Sequence, residues 1–173
     1  MIQVIDDLFD NDFIDNTIEY LKSIQYKPAE KDRDDTPPTG EITELSLGDM
    51  LVRKLTQPIR YSLDKKGMVL KRAYVNKFAP GEQPYWHHDE LDGITILYYA
   101  NNGSVRADEL GCTEFYLKEE NEIKAIRPVP GRIVMFDGYI QHRATSMRTG
   151  YRYTIALKYG KKHDIRRNTR ISR

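Results

Sequence analysis

The sequence has a single cysteine, Cys112, among its 173 residues. One cysteine cannot form an intrachain disulfide or build a thiolate metal cage, so scaffolds that depend on either are excluded. No stretch approaches the roughly 18 apolar residues that a membrane-spanning helix needs. The first ten residues, MIQVIDDLFD, carry acids where a signal peptide has a basic end and a long apolar run. These absences predict a protein of the reducing cytoplasm that does not associate with membranes.

The net charge is also close to zero, since 27 basic and 26 acidic residues leave +1 at neutral pH. A balance of this kind argues neither for nor against a nucleic-acid partner. The segment 161–173 is the exception, because its six basic residues and one acidic residue give a local charge of +5. We interpret it as a solvated basic tail and do not expect nucleic acid as a partner.

The hydrophobic fraction of 39% and the length of 173 residues predict one buried core. The chain is too short for two ordinary domains. We therefore expect one domain over 1–173, divided into a helical part of about 1–67, a strand-rich core of about 68–160 and the tail 161–173. Apolar residues recur at helical spacing over 12–26, and again at steps of four over 44–63.

The period changes after Met68, where apolar and polar residues alternate as in strands. About eight short strand-like runs follow, one of them around His87, and turn-forming residues separate them. Polar segments at 28–40 and 102–110 are predicted loops. Helices followed by such strands indicate an α+β fold with a double-sheet jelly roll, also called a double-stranded β-helix, flanked by N-terminal helices. An up-and-down barrel has the same strand count and stays open as an alternative.

The segment PYWHHDELDG contains the most informative residues. In a strand, alternate residues share a face, so His87 and Asp89 can both point at one ion. With the distant His142 they would form a two-histidine, one-carboxylate triad, which leaves open positions on Fe(II). A competing pair, His88 and Glu90, has the same spacing and faces the opposite side, so only one pair can face the interior.

Arg152 follows His142 by ten residues across the tight turn SMRTG. A hairpin of this length can return an arginine to the neighbourhood of the metal. Its planar fork can bind the distal carboxylate of a dicarboxylate through two hydrogen bonds. The alternative for Arg152 is a cross-strand ion pair.

With these motifs in order, the segment from about 71 to 158 resembles the prolyl 4-hydroxylase branch of the Fe(II)- and 2-oxoglutarate-dependent dioxygenases. The matching features are His87-x-Asp89, ITILYYAN, GCTEFYL, GRIVMFDG, His142 and Arg152. The ordered set is specific, although each piece alone is weak. Three departures stand out: Leu110-Gly111 replaces a common double glycine, Lys158 stands where relatives often carry a tryptophan, and an arginine replaces a lysine at position 152.

The resemblance implies Fe(II) bound by the triad, with Arg152 as a further catalytic-site residue that holds 2-oxoglutarate. It assigns Tyr99 a hydrogen bond to the co-substrate carboxylate, places Thr154 in the same pocket, and makes Tyr74 a weaker co-substrate candidate. Tyr99 is equally well interpreted as a core aromatic. Dioxygen would be the second co-substrate, and ascorbate is an expected additional requirement.

The activity that the resemblance implies is hydroxylation of a C–H bond, foremost of peptidyl proline, with release of succinate and CO2. A free amino acid or another small molecule is the alternative substrate. A cupin-like metal-binding module without catalysis is the alternative outside enzymes. The loops at 28–40 and 102–110 could fold over a peptide, or could be ordinary surface loops.

Overall fold

The computed structural model describes residues 1–31, 34–101 and 111–162. The predicted loop at 102–110, part of the loop at 28–40 and nearly all of the basic tail, including His163, therefore lie outside the described residues. Within the described ranges, no helix is long and apolar enough to cross a membrane.

The described part of the first 65 residues contains three α-helices: α1 (Asn11–Ser23), α2 (Met50–Thr56) and α3 (Arg60–Lys65). The side chain of Asp10 accepts a hydrogen bond from the backbone N–H of Phe13 and so caps the start of α1. Asp49 caps α2 in the same way, which moves the start of the second helical region from the predicted position 44 to Met50. A 3-10 turn with Pro58 near its start separates α2 from α3, because proline has no N–H for a continuous helix.

Within the described ranges, ten strands build two antiparallel sheets: β1 (Ile2–Ile5), β2 (Lys27–Pro28), β3 (Glu41–Glu44), β4 (Met68–Phe78), β5 (Ile94–Tyr99), β6 (Thr113–Leu117), β7 (Glu122–Ile126), β8 (Ile133–Asp137), β9 (Gln141–Ala144) and β10 (Arg152–Lys161). The large sheet has the order β1-β8-β5-β10-β4-β3-β2, and the small sheet has the order β7-β6-β9. The predicted α+β class with a two-sheet jelly roll is confirmed.

Two features of the first 90 residues differ from the sequence prediction. The first third is not only helical, since β1, β2 and β3 extend both edges of the large sheet. The expected strand around His87 is a single bridge between His87 and His142 rather than a strand. The strands β1, β2 and β3 and the bridge at His87 are too short to show a period of two in the sequence. Their extended form depends on pairing with neighbouring strands.

The core lies in two layers on either side of the large sheet. One layer packs the helices against it, with Leu21 and Leu55 contacting a cluster that includes Tyr98. The other layer fills the space between the sheets and includes Tyr99 and Phe115. Successive residues of a strand point to opposite faces, so Tyr98 lies under the helices while Tyr99 lies between the sheets. The polar residues of the candidate site share this second layer.

Candidate active site

The structure brings His87, Asp89 and His142 together, with one potential ligand atom from each lying within 4.8 Å of the others. Two backbone hydrogen bonds, from His87 N to His142 O at 3.1 Å and back at 3.0 Å, hold the two histidines opposite each other. His88 and Glu90, the competing pair, are exposed and do not join this group. His87 and Asp89 are partly buried whereas His88 and Glu90 are exposed, and this difference identifies the first pair as the metal-ligand candidates.

Each histidine of the triad has its Nδ1 atom near a backbone carbonyl. Nδ1 of His87 lies 3.0 Å from the carbonyl oxygen of Tyr85, and Nδ1 of His142 lies 2.9 Å from that of Ile140. A carbonyl only accepts, so these contacts place the ring proton on Nδ1 and leave the Nε2 lone pair for a metal. Both imidazoles are therefore oriented and protonated as metal ligands require.

The charge states of Asp89 and His142 also suit a metal. Burial raises the pKa of Asp89, but the positive charge of Lys158 and the hydrogen bond from Thr95 outweigh it and bring the pKa to about 2. Burial lowers the pKa of His142 to about 3. At neutral pH the site thus holds an ionised carboxylate and a neutral imidazole, which are the forms that bind metals.

Gly138 follows directly after β8, where the segment that contains His87 and Asp89 crosses the end of this strand. The backbone N–H of Asp89 donates to the carbonyl of Gly138 at 2.9 Å, so the two chains run in close contact. A Cβ atom at position 138 would lie 2.1 Å from the carbonyl oxygen of Glu90. Only glycine lets the ligand segment approach this closely.

Arg152 begins β10 and is almost fully buried, with 2% of its surface exposed. Its guanidinium donates to the carbonyl of Gly111 at 2.8 Å, to Oγ1 of Thr113 at 2.9 Å and to Oγ1 of Thr154 at 3.3 Å. Among the described residues it has no ion pair with a carboxylate. Burial lowers the pKa of Arg152, but a guanidinium stays ionised in proteins. A buried cation with neutral partners forms a site for an anion.

Tyr99 lies beside Arg152, with its ring centre 5.6 Å from the guanidinium carbon. Its hydroxyl donates to Oγ1 of Thr113 at 2.6 Å, and burial raises the pKa of Tyr99. Since Thr113 accepts from both Tyr99 and Arg152, its own hydroxyl hydrogen is left to donate elsewhere. Tyr99 thus positions Thr113 and Arg152, in addition to being the buried core aromatic that the sequence allowed.

One cavity of about 80 Å³ joins the triad to Arg152. Its lining includes two metal-ligand candidates and three of the four residues predicted to bind the co-substrate. The fourth, Tyr99, does not line the cavity but contacts Thr113, which does. The lining residues include His87, His142, Arg152, Thr154, Tyr74, Thr113, Asn76, Phe78, Leu97 and Lys158. Tyr74 reaches the cavity from the middle of β4, so its distance along the chain from His87 does not keep it away.

Two polar residues of the site, Thr95 and Thr113, were missed from the sequence, and Lys158 was noted only as a departure from the family pattern. Thr95 and Lys158 both bind the Oδ2 atom of Asp89, each at 2.5 Å. The sequence signal for their shared face is that each lies an even number of residues from a predicted site residue on its own strand, Tyr99 on β5 and Arg152 on β10. Thr113 belongs to the GCTEFYL motif, but a motif does not reveal which side chain it contacts.

Neither a protein-family model nor a curated protein sequence matches the chain. Several solved structures share its fold. A Pseudomonas putida prolyl-4-hydroxylase superposes with a TM-score of 0.74 at 14% identity, over 93% of this chain and 92% of that chain. A Trichoplax adhaerens prolyl hydroxylase, in complex with a hypoxia inducible factor oxygen degradation domain peptide, gives 0.75 at 17% identity, over 92% and 83% of the two chains.

HygX from Streptomyces hygroscopicus, with nickel, 2-oxoglutarate and hygromycin B bound, gives a TM-score of 0.69 at 13% identity, over 94% of this chain and 83% of that chain. The chain therefore has the fold of the 2-oxoglutarate- and Fe(II)-dependent oxygenases, in the form seen in prolyl hydroxylases. The resemblance that its motifs predicted is confirmed at the level of the fold.

Proposed function

We propose that this protein is an Fe(II)- and 2-oxoglutarate-dependent oxygenase that hydroxylates a C–H bond of its substrate. One observation carries the proposal: His87 and His142 of the His87, Asp89 and His142 cluster line the same cavity as the buried guanidinium of Arg152, which has no carboxylate partner among the described residues. A metal-binding module of cupin type has no need for such an arginine. The fold shared with known oxygenases is consistent with the proposal.

The triad fits iron(II), because two imidazoles and one carboxylate held on one side of an ion are the donor set of non-haem iron oxygenases. When bound, iron supplies the redox chemistry by which dioxygen oxidises 2-oxoglutarate to succinate and CO2 and places an oxygen atom in the substrate. The protein orients both imidazoles through the carbonyls of Tyr85 and Ile140. Asp89 keeps a carboxylate in the third ligand position, which favours hydroxylation over halogenation.

The end of the cavity at Arg152 fits the distal carboxylate of 2-oxoglutarate. Arg152 would donate to it with the N–H groups that face the cavity, and the hydroxyls of Thr113 and Thr154 would add neutral hydrogen bonds. Tyr99 supports this end by its hydrogen bond to Thr113, and Tyr74 forms part of the wall. Burial of these groups excludes water, so each hydrogen bond to an anion is strengthened.

The substrate that we propose is proline within an extended peptide. Two of the solved structures that share the fold are prolyl hydroxylases, and one of them is in complex with a peptide. Tyr139, which lies three residues before His142, is 56% exposed and can contact a partner. A polyproline II segment suits exposed aromatic side chains, because it is already extended and packs on aromatic rings.

The other aromatic residues have different positions. Tyr98 is fully buried under the helices and cannot contact a substrate. Trp86 stacks on the guanidinium of Arg143, which also pairs with Glu114. Tyr85 is 40% exposed.

A small molecule, such as a free amino acid, is the second candidate substrate. It is favoured by the fold shared with HygX, whose structure contains hygromycin B. Both candidates predict turnover of 2-oxoglutarate, whereas a cupin-like module predicts none. We also propose the reducing cytoplasm as the location, since Cys112 is a free thiol.

The test is succinate release by the purified protein with iron(II), 2-oxoglutarate and ascorbate, with and without a panel of proline-rich peptides. We expect peptide-stimulated succinate and a mass gain of one oxygen atom on proline, both absent in His87→Ala. Turnover without oxidation of any peptide would move the proposal to a small molecule. No succinate under any condition, from protein that binds iron, would favour the cupin-like module.

A further inference from the structure

Lys158 lies in the same cavity and has no role in the function proposed above. It shares one face of β10 with Arg152 and Thr154, and its Nζ atom is 2.5 Å from Oδ2 of Asp89. The ammonium also lies 3.3 Å from Oγ1 of Thr95. The side chains of Lys158 and Asp89 are 20% and 12% exposed, so water screens this pair only weakly.

The oxygen atom that Lys158 binds lies on the side of Asp89 that faces His142, since Oδ2 of Asp89 is 3.5 Å from Nε2 of His142. A divalent ion bound by these two residues would lie close to the ammonium. Repulsion between the two cations is strong where water is largely excluded. Lys158 therefore competes with the metal for Asp89.

The co-substrate changes this balance of charge. Among the described residues, the charged side chains that line the cavity are Lys158 and Arg152, and Asp89 pairs with Lys158, which gives one acidic and two basic groups. A divalent metal alone would leave three uncompensated positive charges in a buried space. The dianion 2-oxoglutarate would remove two of them and would offer the ammonium a carboxylate partner other than Asp89.

We propose that Lys158 is a positioning residue which acts through Asp89 and makes tight metal binding dependent on 2-oxoglutarate. In the metal-free protein it holds the carboxylate in place together with Thr95. In the loaded site it turns to the co-substrate, so the two ligands bind cooperatively. This inference rests on the function proposed above, because it requires both ligands to occupy the cavity.

The test is an anaerobic titration with Mn(II), followed by electron paramagnetic resonance, in the absence and presence of saturating 2-oxoglutarate. In Lys158→Met, where Thr95 still holds Asp89, we expect the Mn(II) affinity without co-substrate to rise about tenfold. The affinity with co-substrate should change less than about threefold, so the coupling factor falls. Lys158→Arg keeps the charge and should keep the wild-type coupling.

Lys161→Met, an exposed change of the same charge on the same strand, is the matched control and should leave both affinities unchanged. Thermal unfolding of each variant verifies that it is folded. Equal coupling in wild type and Lys158→Met, or weaker Mn(II) binding by that variant, would overturn the inference while leaving the oxygenase proposal intact. Failure of the wild type to bind Mn(II) or 2-oxoglutarate, with His87→Ala no different, would overturn both.

Discussion

Arg152 has a full positive charge in the interior of the fold and only neutral hydrogen-bond partners among the described residues. Burial of an ion without a counter-ion costs several kcal/mol of folding free energy. A protein can keep such an ion when a ligand supplies the missing charge. The three hydrogen bonds to Gly111, Thr113 and Thr154 keep the guanidinium oriented before any ligand arrives. The residue is therefore more informative about function than the exposed arginines, whose ion pairs contribute little.

Replacement of Arg152 by alanine should weaken binding of 2-oxoglutarate to the metal-loaded protein. Removal of one partner of a buried charge pair costs about 2–5 kcal/mol, which corresponds to roughly 30-fold to several-thousand-fold in Kd. Isothermal titration calorimetry with the Mn(II) protein measures the change. Arg60→Ala, which removes an exposed arginine on α3, is the control and should have no effect. An unchanged affinity in Arg152→Ala would contradict the assignment.

Substitution of the adjacent residues His87 and His88 tests which of the two His-x-acid pairs binds the metal. We expect His87→Ala to lose at least about 100-fold in Co(II) affinity, more than the 10–100-fold typical of residues that only orient a ligand. His88→Ala removes an exposed imidazole one position away and should bind Co(II) as the wild type does. Visible absorption of the Co(II) protein reports both affinities and the ligand set. The reverse result would show that the even-numbered frame binds the metal.

At the scale of elements, the site depends on pairing between strands that are distant in sequence. β10 lies between β4 and β5 in the large sheet, so it brings Arg152 opposite Phe78 and places Thr154 between Asn76 and Tyr99. β9 pairs with β6 in the small sheet and extends by one bridge to His87. The metal site thus joins the long connection between β4 and β5 to the opposite sheet.

The contact at Gly138 is the most restrictive part of this connection. In Gly138→Ala, the new Cβ atom would meet the carbonyl oxygen of Glu90 at 2.1 Å, so the backbone that contains Asp89 must shift. We expect at least a tenfold loss of Co(II) affinity, since ligand geometry tolerates little displacement. Gly81→Ala, at a turn with open space around it but also with a positive φ, controls for the general cost of replacing a glycine. Equal Co(II) affinity in the two variants would show that the close approach is unimportant.

At the scale of the whole molecule, the two sheets are held together by the layer of Leu97, Tyr99, Phe115 and Phe136, and by the candidate site. Phe136 packs edge-on against His142, with ring centres 4.6 Å apart, so the metal ligand is part of the packed interior. Ligands that bind only the folded state should therefore stabilise the entire domain.

Addition of Mn(II) and 2-oxoglutarate should raise the midpoint of thermal unfolding. At about 100 times the Kd a ligand adds about 2.7 kcal/mol, and a chain of this size gains roughly 2–4 °C for each kcal/mol. We expect an increase of about 5–10 °C by differential scanning calorimetry, reversed by a chelator. The same addition to His87→Ala should cause no increase, and an equal increase there would place the metal elsewhere.

Much of the architecture follows from local patterns. Alternation of apolar and polar residues predicts β4, whereas short runs of strand-forming residues between turn signals predict β5, β6, β8 and β10. The central strands β5 and β8 do not alternate, because both of their faces are buried. Spaced motifs likewise predict that His87, Asp89 and His142 share a site with Arg152. The exact metal and co-substrate roles of these residues stay predictions that the experiments above test.

Tertiary structure decided what local patterns leave open. The strands β1 and β3 form because a neighbouring strand offers hydrogen bonds, and the frame of His87 is selected by its bridge to His142. The pairing of Lys158 with Asp89 joins residues 69 positions apart, and no periodicity records which side chains meet across two strands. Periodicity reports which face of a segment is buried, whereas the partner at that face depends on the order of strands in the sheet.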